Sequence, residues 1–97
     1  MDTSEIQEVF EAFFEKYKKT EGDRTAWSAH WTEYMESGDT VQIILTKCPK
    51  GDTFKIFKNN KKLGELNSYP VFFAEAAALI GPEWNPDIFF SSMKEMT

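Results

Sequence analysis

The stretch from Thr40 to Leu66 holds three apolar runs separated by turn chemistry at short intervals, and it constrains the fold more than any other part of the chain. Thr40–Cys48 alternates around Val41, Ile43 and Leu45, with Ile44 adding a second buried face. Pro49-Lys50-Gly51-Asp52 supplies turn residues, residues 53–58 read as the next strand, and Asn59-Asn60 suits the positive φ angles of a tight hairpin. Lys61–Leu66 closes a meander, weakened in the middle by Gly64. Strands joined by connections this short must run antiparallel.

Helical periodicity flanks the meander on both sides. Over residues 5–20, Ile6, Val9, Phe10, Phe13, Phe14 and Tyr17 share one arc, and Glu5, Glu8, Glu11 and Glu15 share the opposite one. Ser4 with Gln7 forms a capping-box pair, and Gly22 stands where a C-terminal glycine belongs. The spacing then predicts a second helix over residues 24–36, with Asp23 as cap and Gly38 as stop. Its apolar arc holds Ala26, Trp27, His30, Trp31, Tyr34 and Met35. A third helix is expected over residues 68–80, capped by Asn67 or Ser68, with Pro70 in its first turn and Gly81-Pro82 ending it. Glu75 is its single charge. A last helix, residues 85–96, starts at Asn85-Pro86-Asp87, where Asn85 caps and Asp87 complements the dipole. The expected order is α-α-β-β-β-α-α: an α+β fold with a three-stranded antiparallel meander and two helices on each side of it in sequence, forming one domain over residues 1–97.

Composition narrows the function classes. With 41% apolar residues, 28% charged and a net charge of −5, the chain reads as globular rather than disordered. The N-terminus, Met1-Asp2-Thr3-Ser4-Glu5, lacks a basic region followed by an apolar run, so no secretory signal is read there. The most apolar stretch, residues 71–80, is interrupted by Glu75 and is too short to span a bilayer. A lone Cys48 fits a reducing compartment, and the expectation is a cytoplasmic protein without membrane contact. One Cys and one His leave too few ligands for structural zinc, and the five glycines form no phosphate-cradling motif, so no metal or cofactor is expected.

Catalysis finds little support. His30 is the one candidate general base, but it lies in the apolar arc of the second helix and reads as a packed imidazole. Cys48 is followed by Pro49 and has no feature that would lower its thiol pKa, so it reads as a small apolar residue rather than a nucleophile.

Two binding readings remain. Charge is divided along the chain, with −6 over residues 1–40, +4 over residues 41–67 and −3 over residues 68–97. Lys47, Lys50, Lys55, Lys58, Lys61 and Lys62 make the middle basic, and Phe57 shares a strand face with Lys55. An aromatic among lysines on an open sheet is a way to hold single-stranded nucleic acid, although lysines also protect sheet edges from aggregation. The α-β-β-β-α portion resembles double-stranded-RNA-binding domains in element order alone. Residues 68–72 contain no cation where that family places its lysines, so no function is carried over. The stronger expectation is a non-enzymatic intracellular module, of inhibitor or immunity type, that binds a protein partner or itself. Four apolar helices are difficult to bury on one face of a small sheet, which nominates Trp27, Trp31, Tyr34, Phe72 and Trp84 as a binding patch.

Overall fold

A computed structural model of the protein describes residues 3–97, and the acidic start at Met1-Asp2 lies outside the described residues. Among the described residues the chain is α+β, with three helices and a five-stranded antiparallel sheet. Helix α1 (Thr3–Lys16) leads into β1 (Lys18–Glu21) and β2 (Arg24–Tyr34). Strands β3 (Thr40–Cys48), β4 (Gly51–Lys58) and β5 (Lys61–Leu66) follow, then α2 (Tyr69–Ile80) and α3 (Pro86–Glu95). The strands form a plain meander, β1-β2-β3-β4-β5, and every neighbour pair is antiparallel.

The expected three-stranded sheet with four helices is therefore corrected in its N-terminal third. Residues 24–36 do not form a helix. Trp27 and Trp31 are four apart, which satisfies one helical turn and two strand repeats equally. Ala29 between them faces the same way, so the period is two, and Thr25, Trp27, Trp31, Thr32 and Tyr34 are residues that suit a pleated surface. Pairing over eight residues with β3, from Trp27↔Lys47 to Tyr34↔Thr40, settles the choice. The first helix ends at Lys16 rather than near residue 20, because Lys18–Glu21 folds back on Arg24 to Trp27. Gly22 consequently serves a two-residue hairpin, at φ +59°, and not a helix end.

The other elements stand close to their expected bounds. Asn59 and Asn60 take φ of 52° and 68° in the β4–β5 hairpin. The Asn85 side chain accepts a hydrogen bond from the backbone N–H of Asp87 at 2.9 Å, and Ser68 occupies the α2 N-cap without a side-chain bond. Gly64 has a role beyond weakening β5. A Cβ there would stand 2.8 Å from a Leu79 methyl, so its absence lets α2 lie close against the strand.

One face of the sheet is buried. Ala29, Val41, Ile43, Leu45, Phe54, Ile56 and Leu66 point into the core, where they meet Phe10, Phe13 and Phe14 of α1, Phe72 and Phe73 of α2, and Phe89 and Met93 of α3. Rings cluster at its centre: Phe72 stands 4.9 Å from Phe54 and 5.7 Å from both Phe10 and Phe89. The opposite face, which includes His30, Thr32 and Tyr34, is not covered by any helix, and these three residues are exposed. Among the described residues, no helix is long and apolar enough to cross a membrane.

Candidate functional site

The five aromatic residues nominated as a patch do not share a surface. Phe72 is fully buried and Trp84 is 4% exposed, so both belong to the core. Trp27 and Trp31 lie half-buried on the inner face of β2, and Trp31 stacks edge-on against Phe89 at 5.0 Å. Tyr34 alone is open, at 81% exposure, on the other face. The helical arc assigned to β2 merged two strand faces, which is why it looked so rich in aromatics.

The lysines divide in the same way. Lys55, Phe57 and Lys62 share the open face, as their register shows. Glu65 stands across from Lys55 and lies 3.6 Å from Lys62, which tempers that cluster. Lys47 has the parity of the inner face, opposite Trp27, Lys50 is in a turn, and Lys61 pairs with Lys58 beside the β4–β5 turn.

Lys58 has a structural role. Its ammonium donates to Glu83 Oε1 at 2.9 Å and to the Ile80 carbonyl at the end of α2 at 3.0 Å, and lies 3.8 Å from Asp39. Asn59 extends the network, donating to Asp39 Oδ1 at 2.9 Å and accepting from the Thr40 N–H at 3.0 Å. Two turns and a helix end are thereby tied together. Asp39 is held below its ordinary value by Asn59 and Ser37, Glu83 is held below its own by Lys58, and Lys58 is raised by Glu83. A carboxylate lowered on folding stabilises the fold above its unfolded pKa, and the contribution disappears as pH falls through the folded one. Melting temperature should therefore hold through neutral pH and decline below the ordinary carboxylate values of 3.8 and 4.5. In Lys58→Met the decline between pH 7 and 3 should be smaller, chiefly through Glu83; an equal decline would show that the Lys58 ion pairs contribute nothing to it.

The least satisfied part of the molecule is β2. It pairs with β1 only as far as Trp27 and continues to Tyr34 with no strand on that side. The Met35 N–H bonds the Asp39 carbonyl at 2.9 Å, which sets the alternation. The N–H and C=O groups of His30, Thr32 and Tyr34 therefore point outward, and among the described residues no hydrogen bond reaches them. Beneath this edge, Trp31 Nε1 and Glu33 Oε2 are buried without partners. Trp84 Nε1 is similarly orphaned. Trp27 Nε1 is orphaned too, although the indole faces Glu15, whose carboxylate is lowered first by Lys18 and then by Trp27. At the end of the strand, an open hollow is lined by Glu33, Tyr34, Met35, Glu83, Asn85 and Ile88. Tyr34 and Ile88, 81% and 56% exposed, are two of four large apolar residues left open among the described residues.

The other sheet edges are protected. β1 is four residues long and reads Lys-Lys-Thr-Glu; β5 carries Lys61, Lys62 and Glu65 with a register shift opposite Ile56 and Phe57. Lysines, short strands and bulges are the usual protection of an edge. Residues 28–34 contain no lysine, arginine or proline. The candidate site is a strand edge. No family model matches this chain, and no curated protein or solved structure does either.

His30, Thr32 and Glu33 were not legible in the sequence as candidate edge positions, because the spacing of their neighbours also suits a helix. A usable signal was present: seven residues of strand-forming pattern without a single cation, in a chain that places lysines on its other exposed strands. His30, expected to be packed, is exposed because strand parity turns it to the open face. Cys48 is also exposed, at the far end of β3.

Proposed function

We propose that the chain is a non-enzymatic protein-interaction module that takes an extended segment of a partner protein along the outer edge of β2, adding a strand to the sheet. The observation that carries this reading is the unprotected row of outward N–H and C=O groups at His30, Thr32 and Tyr34. Main-chain pairing would supply affinity, and the side chains around the edge would select the sequence that binds. Against catalysis stands the placement of the two candidate groups. His30 is opposite Ile44, and Cys48 is four residues further along β3, about 13 Å away at the rise of a strand.

Thr32→Pro tests the reading. The Thr32 N–H points out of the sheet, so proline there removes no existing ladder bond, and edge strands accept proline in that orientation. A protein retained by the wild-type bait from the source lysate should be lost with Thr32→Pro, while the variant melts close to the wild type. Equal retention by both baits would sink the proposal.

A second reading, nucleic-acid binding across the open face, keeps one supporting observation: Lys55, Phe57 and Lys62 do share that face. It requires affinity for single-stranded DNA that falls steeply with salt and is lost in Lys55→Glu. Binding that ignores salt would remove it.

A further inference from the structure

The edge of β2 has a property that a generic docking edge lacks: it is complementary to itself. From the outward groups and the orphaned atoms, and resting on the edge reading above, we infer that the occupant is the β2 edge of a second copy of this chain. The two strands run antiparallel about a two-fold axis at Thr32. In that register Thr32 faces Thr32 of the second copy and His30 faces its Tyr34. All six outward groups of His30, Thr32 and Tyr34 in each copy then find partners, and the two five-stranded sheets become one of ten strands.

The inner face supplies an independent match. With the axis at Thr32, Trp31 of each copy stands directly across from Glu33 of the other. Trp31 Nε1 is a buried donor without an acceptor, and Glu33 Oε2 is a buried acceptor without a donor. Side chains directly opposite in an antiparallel pair have Cβ atoms about 5 Å apart, within reach of an indole–carboxylate hydrogen bond once the two half-buried side chains turn their polar atoms, covered in the single chain, toward the seam. The symmetry makes this contact twice. A register one residue out would set inner-face side chains of one copy opposite open-face side chains of the other, while an axis at Trp31 or at Glu33 would set Trp31 opposite Trp31 or Glu33 opposite Glu33 and lose the indole–carboxylate contact. Glu33 is the one acid among residues 29–34, and it meets an indole rather than its own copy, so the pairing brings no like charges face to face. On the open face Tyr34 would gain a neighbour in His30 of the second copy, covering the most exposed large apolar side chain among the described residues.

Sedimentation equilibrium of the full chain, from micromolar to millimolar concentration, reads this directly. The wild type is expected to be dimeric and Thr32→Pro monomeric. Trp31→Phe, which keeps a ring against Phe89 but loses the donor, should weaken the dimer at least about tenfold, the loss expected when hydrogen bonds to a charged group are removed. The register has its own readout. In a Cys48→Ser background, Thr32→Cys places two thiols at a hydrogen-bonded pair with Cα atoms about 5.5 Å apart, inside the range of a disulfide. Oxidation should join the copies covalently, while Thr53→Cys, on the open face away from the edge, should not.

A wild type that stays monomeric throughout, a Thr32→Pro variant that dimerises as the wild type does, or a dimer that Thr32→Cys cannot cross-link would each overturn self-pairing. The outcomes separate the two readings. A monomeric wild type whose captured partner is still released by Thr32→Pro ends self-pairing and leaves the edge in use. A Thr32→Pro variant that both dimerises and holds partners like the wild type ends both.

Discussion

Phe72→Ala is expected to destabilise the protein by about 3–5 kcal/mol, the usual result of emptying a buried phenylalanine site, against a total of roughly 5–15 kcal/mol for a domain of this kind. Phe72 has no exposed surface, and its ring meets Phe10, Phe54, Phe73 and Phe89 at centroid distances of 5.7, 4.9, 5.1 and 5.7 Å. These rings come from α1, β4, α2 and α3, so the residue joins all three helices to the sheet. Aromatic neighbours cannot collapse into the vacated space without leaving their own rotamers, which places the loss toward the upper end. For a chain this size the melting temperature should fall by on the order of 20 °C. Val71, 44% exposed, is the neighbour for comparison. Val71→Ala should change stability by less than about 0.5 kcal/mol. Urea unfolding of both variants decides the matter, and a loss below about 1 kcal/mol in Phe72→Ala would mean that α2 is not seated over β4.

The second large effect concerns proline in the sheet. Gln42 lies in β3 with β2 on one side and β4 on the other, opposite Thr32 and Phe57. The Asn59 N–H bonds the Thr40 carbonyl at 2.9 Å, so alternation directs the Gln42 N–H toward Phe57 in the ladder. Gln42→Pro removes that bond, strains an interior strand and should cost about 3 kcal/mol or more. Thr32→Pro sits directly across the sheet, where the N–H has no partner within the chain among the described residues, and at concentrations low enough to keep the chain monomeric it should cost far less. Thermal unfolding of the two variants at such concentrations measures the difference. Equal losses in the monomer would mean that the Thr32 N–H is already engaged within its own chain, and the β2 edge would then be closed.

Phe72 also shows how far the sequence could be read. The helix carrying it was legible from Pro70, Gly81 and the apolar run between them, but α2 is apolar on nearly every side, so periodicity could not say which side faces the sheet. Phe72 was accordingly nominated for binding when it is the centre of the core. The meander from Thr40 to Leu66 was legible in detail, because inward and outward residues alternate cleanly there and Asn59-Asn60 admits few other conformations. The first helix was legible as well, apart from its end: Lys18–Glu21 has no apolar pattern of its own and becomes a strand only by pairing.

The sequence by itself determined the α+β class, the three strands and their turns from Thr40 to Leu66, the first helix apart from its end, and the two C-terminal helices with the stop at Gly81 and the cap at Asn85. These depend on neighbours within a few residues, through side-chain period, cap chemistry and allowed φ angles. Tertiary structure alone decided that residues 24–34 are strand, since a four-residue spacing of tryptophans serves either period and only the pairing with β3 chooses between them. That choice sorted Trp31 to the inside and Tyr34 to the outside, placed His30 on the open face, and left a long strand beside a short one. The exposed edge is the difference in length between β1 and β2, a quantity that exists only once the two strands are paired.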